Sequence, residues 1–207
     1  MRNAPLEPQL QPVALTDLRP TQITVGYLEV ARKRHEWSVR THEDRPGFLG
    51  RHMIPVVVGP KGRYWIVDHH HLVLALHEEG VEEVLVSVVA HLDHLKAPAF
   101  LTFMDNRNWL HPFDEHGHRR DYDAIPRHIG GLIDDPYRAL AGALRRAGGY
   151  AKDETPYSEF LWADFLRSRI KRAKLKDRFD DCLAKALAIA NSQEAQHLPG
   201  WAGISTD

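Results

Sequence analysis

The sequence predicts an α+β fold, in which a small mixed β-sheet with helices is followed by a helical subdomain. Two observations support this class. Short apolar, β-branched runs alternate with a helix-period segment up to residue 95, and helix start signals recur from there to the end. We therefore divide the chain into an extended N-terminal arm over residues 1–14, a sheet domain over 15–95 and a mainly helical subdomain over 96–207.

The N-terminal arm has three prolines and no hydrophobic period, which predicts little regular structure. A turn and a short strand are predicted over residues 18–26. A helix follows, with Val30 and Trp37 on its apolar face and Glu29 among the charged residues of the opposite face.

The next segment is polar and contains one proline and two glycines, so residues 40–52 are predicted to form a loop. Arg51 and His52 close this loop, just before the next strand. Their side chains are candidates to reach over a neighbouring site.

Residues 54–58 and 64–67 are apolar, strand-like runs joined by the Gly- and Pro-containing segment 59–62, which predicts a β-hairpin. A helix is predicted from about residue 69 to residue 79. Another buried strand is predicted over 84–89, so the runs describe a central, covered sheet.

The second half has a short predicted helix after residue 97, and then stronger signals. Asp135-Pro136 is a capping acid followed by a proline at the first helical position, which predicts a helix over 137–147. A similar start signal predicts one helix from Thr155 through about Lys174, and a last helix is predicted over about 177–191.

Composition limits the functional classes. The chain has 27 basic and 28 acidic residues, and a net charge of −1 does not favour binding to nucleic acid or to an anionic membrane. The single cysteine, Cys182, cannot form an intramolecular disulfide and is expected to be buried in the last helix. With no apolar run of membrane-spanning length and no signal peptide, a cytoplasmic location is expected.

The junction between the second hairpin strand and the helix after it is the main candidate site. An apolar run ends in Asp68, and three histidines follow: His69, His70 and His71. If Asp68 lies near the N-cap, the histidines cover the first turn, where backbone N–H groups and the helix dipole favour an anion. This arrangement suits a phosphate group, although Asp68 as a simple cap beside surface histidines is the alternative.

A second cluster contains Asp114, His116 and His118. In an extended segment the two histidines would share a face and bind a transition metal. The charged, glycine-containing context favours a solvent-exposed loop instead. The aromatic residues 160–165 are open to two interpretations, a homodimer surface or part of the core.

Three segments together resemble the ParB/sulfiredoxin-like superfamily: residues 18–22, the strand 55–58 and the junction 66–71 with its helix. This resemblance covers about residues 15–95. The chain is most similar to a group of uncharacterised bacterial proteins described as ParB-like nucleases, and that similarity extends into the helical half.

The superfamily pattern at the junction is an acid, a glycine, two further residues usually including histidine, and an arginine. Here Asp68, His70 and His71 match, whereas His69 replaces the glycine and Leu72 replaces the arginine. In relatives that arginine contacts nucleotide phosphates. The cysteine of sulfiredoxins is also replaced, by His70, so sulfiredoxin chemistry is not expected.

The resemblance also implies roles. A free serine kinase branch uses an early glutamate as base, and Glu29 is the residue that matches by position, with a solvated helix-face acid as the alternative. Asp68 and Glu29 are then candidate ligands of Mg²⁺ through their oxygens. We assign Glu29, Asp68 and His70 as candidate catalytic residues. The candidate phosphate- or nucleotide-binding residues are Arg51, His52, His69, His70 and His71.

The sequence predicts an enzyme that acts on a nucleotide such as ADP or ATP, or on another small phosphorylated ligand, by phosphotransfer or phosphodiester hydrolysis. Two alternatives remain open. One is a ParB-like DNA nuclease or DNA-binding protein. The other is a non-catalytic regulatory module that binds a phosphate ligand.

Overall fold

The fold is taken from a computed structural model, which describes residues 10–204. The seven strands of this range are Leu10–Ala14 (β1), Leu18–Arg19 (β2), Thr24–Val25 (β3), Ile54–Gly59 (β4), Arg63–Ile66 (β5), Glu83–His91 (β6) and Ile133–Asp134 (β7). The eight α-helices of the same range are Tyr27–Ser38 (α1), Asp44–Arg51 (α2), His70–Glu78 (α3), Ala97–Asn106 (α4), Pro136–Arg146 (α5), Ser158–Arg167 (α6), Arg172–Asp177 (α7) and Phe179–Ala190 (α8).

The predicted α+β class is confirmed. Five strands form a mixed sheet in the order β1-β6-β4-β5-β2, and β3 pairs with β7 in a separate two-stranded ribbon. The predicted hairpin is present, since β4 and β5 are antiparallel and a short turn over Pro60–Gly62 joins them. Both β4 and α3 are largely buried, as expected for the centre of a covered sheet.

The expectation of little regular structure in the N-terminal arm is wrong for its last five residues, which form β1. This strand pairs antiparallel with β6, from Leu10 opposite Ser87 to Ala14 opposite Glu83. Its Pro12 cannot donate a backbone hydrogen bond, but β1 is an edge strand, where one side of the backbone needs no partner. Residues 1–9 of the predicted arm lie outside the described residues.

The predicted loop over residues 40–52 contains a helix instead, α2. Its proline, Pro46, lies in the first turn, where a backbone N–H has no intrahelical acceptor. Phe48 is only 3% exposed. Its ring centroid lies 5.8 Å from that of Trp37, and the Arg45 guanidinium covers the other ring at 4.8 Å. Burial of this aromatic pair therefore outweighs the weak helix propensity of the segment.

The cap signal at Asp135 is confirmed, because its carboxylate accepts the Tyr137 backbone N–H at 3.0 Å.

The single helix predicted up to Lys174 is wrong, since α6 ends at Arg167 and α7 begins at Arg172. Between them, the Ile170 carbonyl accepts the Tyr137 hydroxyl at 2.6 Å and its side chain is buried. That hydrogen bond holds the turn outside a continuous helix.

Two compact units are distinguished by their contacts. The first contains the described residues up to Thr24, Val30–Asp114 and His118–Ile133, and the second contains Val25–Glu29, Glu115–Gly117 and the chain from Asp134 onward. The predicted boundary between residues 95 and 96 stays a prediction, because compactness does not test independent folding.

The second unit has its own hydrophobic core. Trp162 is fully buried in it and stacks on Tyr150 with ring centroids 4.4 Å apart. Phe165 and Cys182 belong to the same core, which confirms the prediction that the cysteine is buried. Within residues 10–204, no helix combines the length and apolar character needed to cross a membrane.

Candidate functional site

The strand-to-helix junction predicted from the sequence is present in the first unit. Strand β5 ends at Ile66, and α3 begins at His70 with His69 at the N-cap position. The first intrahelical hydrogen bond runs from the Val73 N–H to the His69 carbonyl at 2.9 Å. The backbone N–H groups of the first turn therefore lie at the end of β5, and anion binding by them stays a prediction.

His69 has a left-handed backbone, with φ of 68° and ψ of 22°. This conformation costs an L-residue free energy and is the reason that glycine is favoured at such positions. The replacement of the pattern's glycine by His69 therefore keeps the backbone path and adds an imidazole at the helix start. Asp68 is exposed, and its carboxylate accepts the His69 backbone N–H at 2.6 Å.

His70 is buried, with 5% of its surface exposed. Its Nε2 atom accepts the Thr21 backbone N–H at 3.1 Å, while the Thr21 hydroxyl donates to the Ile66 carbonyl at 2.6 Å. Because Nε2 is an acceptor, this geometry requires the neutral ring with its proton on Nδ1. His70 thus ties the segment after β2 to the end of β5. His71, one residue further, is half-buried in the first turn.

Arg51 and His52 lie at the same end of the sheet as the junction. The antiparallel register places the start of β4 beside the end of β5, and the Val67 N–H donates to the Pro55 carbonyl at 3.0 Å. Arg51 is exposed. The His52 ring stacks on Phe48 and its Nδ1 donates to the Phe48 carbonyl at 2.8 Å, which orients the ring.

A third segment reaches this end through β2, which runs parallel to β5 with Arg19 opposite Trp65. The next residues, Thr21 and Gln22, are buried, and the Thr21 carbonyl accepts the His111 backbone N–H at 2.8 Å. Our site prediction did not include Thr21, Gln22 or His111. The motif over residues 18–22 was the available signal for the first two, whereas nothing in the sequence indicated His111.

Glu29 lies in the second unit. It is 8% exposed, and its carboxylate forms an ion pair with Arg146. The alternative interpretation of Glu29 as a solvated acid on its helix face is therefore wrong. The roles of Glu29 as base and, with Asp68, as Mg²⁺ ligand stay predictions.

Metal binding by the protein alone finds no support within residues 10–204, where no group of three or more His, Cys, Asp or Glu side chains is arranged to hold an ion. Mg²⁺ commonly uses only one or two carboxylates, with phosphates and water as its other ligands. The exposed Asp68 fits that mode and would supply one oxygen ligand.

The second histidine cluster is a loop, as predicted. Asp114 is 8% exposed and its Oδ1 accepts the His118 backbone N–H at 2.9 Å. The Asp114 N–H in turn donates to the His118 carbonyl at 3.0 Å, which closes a tight turn. His116 is exposed and lies beside Glu115. Asp114 therefore has a structural role in this turn.

Comparison with known proteins places the chain in a family. The model of the family described as "Putative ParB-like nuclease" matches residues 11–168. The chain is also similar to the crystal structure of protein Atu1540 from Agrobacterium tumefaciens, with 56% sequence identity and a TM-score of 0.91. The similarity covers 97% of this chain and 100% of that one. No curated protein matches the sequence.

The family match spans the five-stranded sheet, the strand-to-helix junction and the start of the helical half. It confirms the resemblance drawn from residues 18–22, the strand 55–58 and the junction 66–71, and it supports a nuclease. The chain belongs to the ParB-like nuclease family.

Proposed function

We propose that the protein is a phosphodiester-hydrolysing or phosphoryl-transferring enzyme whose phosphate site is the end of the sheet at the start of α3. One observation carries the proposal. The strand register brings three segments to that end: Thr21-Gln22, Arg51-His52 and the junction from Asp68 to His71. Reactions at phosphate need N–H or cationic donors on the phosphate oxygens and a group that handles a proton.

The donors are provided by the first turn of α3 and by Arg51. Helix geometry directs the amides of residues 70–72 away from the helix, towards the position of an anion. Arg51 is at the C-terminus of α2 and supplies a positive charge at the same end of the sheet. It would take over the function of the arginine that Leu72 replaces.

His71 is the residue we assign to proton transfer. His70 has its Nε2 atom engaged by Thr21, so its contribution is to position the helix start. His71 is half-buried in the same turn, and imidazole transfers protons near neutral pH. Asp68 is exposed at the same junction, next to His69, and is the candidate carboxylate for a metal-bound phosphate.

The test is a metal-dependent turnover screen with single-stranded DNA, RNA, ATP and ADP as substrates. We expect one of these to be hydrolysed or to transfer its phosphate with Mg²⁺ present, and His71→Ala to reduce turnover at least about 100-fold, as for loss of a general acid or base. The matched control is His91→Ala, because His91 is exposed at the opposite end of the sheet. Equal loss in both variants would disprove the assignment.

A binding module without catalysis is the second candidate, favoured by the structural use of His70. It predicts that Asp68→Ala and His71→Ala weaken binding of a nucleotide while no turnover occurs in any variant. Calorimetric titration of ATP and ADP, run beside the turnover screen, separates this function from an enzyme.

A further inference from the structure

The segment 167–178 has an unusual charge. Seven of its twelve residues are Arg or Lys and one is acidic, so it carries a formal charge of +6. Because the whole chain carries −1, the rest of the chain carries −7. The near-zero net charge of the whole chain thus conceals one strongly basic segment in the second unit. The prediction that net charge does not favour nucleic-acid binding did not consider this segment.

The structure forms this segment into a concave surface. A cavity of about 200 Å³ is lined mainly by cations, with a single carboxylate among them. Its charged lining residues are Arg169, Lys171, Lys174, Arg178, Lys185 and Asp181.

Three of the five cations already have partners. Arg169 pairs with Glu194 at 2.9 Å, and Arg178 pairs with Asp181 at 2.6 Å. The Lys185 ammonium donates to the Arg169 carbonyl at 2.9 Å. Lys171 and Lys174 are exposed, and within residues 10–204 neither forms an ion pair. These two lysines are available to an anion from outside.

We propose that this basic cavity binds the phosphate backbone of a nucleic-acid strand, with Lys171 and Lys174 as its main contacts. The cavity is smaller than the roughly 300–1,000 Å³ typical of a pocket that encloses a whole small ligand. It fits a phosphate group whose strand continues across the surface. Lys176 is exposed and adds a further positive charge to the same short helix, α7.

An anionic membrane is a poorer fit for this surface. Membrane-bound helices combine basic residues with exposed apolar side chains that enter the lipid. In the part of the chain that the structure describes, none of the exposed large hydrophobic residues falls between residues 167 and 185. The surface therefore has the electrostatic component of polyanion binding without an apolar anchor.

The test compares Lys171→Gln/Lys174→Gln with Lys96→Gln/Lys152→Gln in the full chain. Both pairs of lysines are exposed and both double variants lose two charges, so only the location differs. Binding of a fluorescent DNA strand of about 20 nucleotides is measured by anisotropy. The salt concentration is varied over about one decade, from about 0.05 to about 0.5 M. Melting curves confirm that each variant is folded.

We expect the cavity variant to lose about 1.4 from the slope of log affinity against log salt, since each phosphate contact contributes about 0.7 for a single strand. At 0.1 M salt this corresponds to about 25-fold weaker binding, and the curves converge as the salt concentration rises. The control variant should keep the wild-type slope. Equal slopes for both variants would overturn the proposal.

Two further probes identify the ligand. If the cavity variant loses ATP binding but binds the strand as the wild type does, the ligand of the cavity is a free nucleotide. If it loses binding only to phosphatidylserine vesicles, the ligand is a membrane. Either result overturns the proposal. The inference does not depend on the junction, because His71→Ala alters the first unit and leaves this cavity intact.

Discussion

The hydrogen bond between His70 and the Thr21 backbone predicts that His70 is needed for folding more than for chemistry. In His70→Leu, a side chain of similar volume fills the site, but the buried Thr21 N–H loses its acceptor. An unsatisfied buried donor costs about 1–3 kcal/mol. For a chain of this length each kcal/mol lowers Tm by about 2–4 °C, so Tm should fall by about 2–12 °C.

The assay is thermal unfolding followed by circular dichroism, with His91→Leu as the control because His91 is exposed at the far end of β6. The control should stay within about 0.5 kcal/mol of the wild type. His70→Gln offers an amide oxygen to the Thr21 N–H and should recover part of the loss. A Tm of His70→Leu within about 1 °C of the wild type would refute the structural role, given the cost of an unsatisfied donor. Lost turnover in a stable His70→Gln variant would indicate catalysis instead.

Two further substitutions test the backbone at the junction and the buried acid of the second unit. His69→Gly should raise the free energy of unfolding by about 0.5–1 kcal/mol. Glycine removes the cost of the left-handed backbone, but part of this gain is cancelled because glycine loses more conformational entropy on folding. A loss of stability in urea unfolding would contradict this prediction. Arg146→Met should lower the free energy of unfolding by about 2 kcal/mol, since the buried Glu29 carboxylate loses its ion pair with Arg146 while Arg146 itself is partly exposed. A matched Glu29→Gln/Arg146→Met variant should be more stable than Arg146→Met alone, and the absence of such recovery would show that the ion pair is not the cause.

The central sheet and the junction could be predicted because their signals are local. The hairpin, the helix after it and the Asp135 cap each follow from residues within one short segment. Strand β1 could not be predicted, because its Pro12 opposes regular structure and its pairing partner β6 lies far along the chain. The break between α6 and α7 contains no glycine or proline, and it depends on a hydrogen bond from Tyr137, 33 residues away.

The site was predicted unevenly for the same reason. Asp68 and the histidines are contiguous, so their position at a helix start followed from the sequence. The partners of two of the predicted catalytic residues are distant. Thr21 is 49 residues from His70, and Arg146 is 117 residues from Glu29. Residue type and spacing carry no information about such contacts, so the buried roles of these two side chains could not be inferred.

Net charge is misleading for the basic segment because a ligand responds to the charges near it. At physiological ionic strength the Debye length is about 8 Å, so acidic residues elsewhere on the surface are largely screened from a strand in the cavity. Arg169 and Arg178 are neutralised by acids within that distance, so the contact energy depends mainly on Lys171 and Lys174, whereas the total of −1 determines the long-range field. Binding at this surface should therefore gain affinity from phosphate contacts without faster association from long-range steering. The cavity substitutions should accordingly act mainly on the dissociation rate.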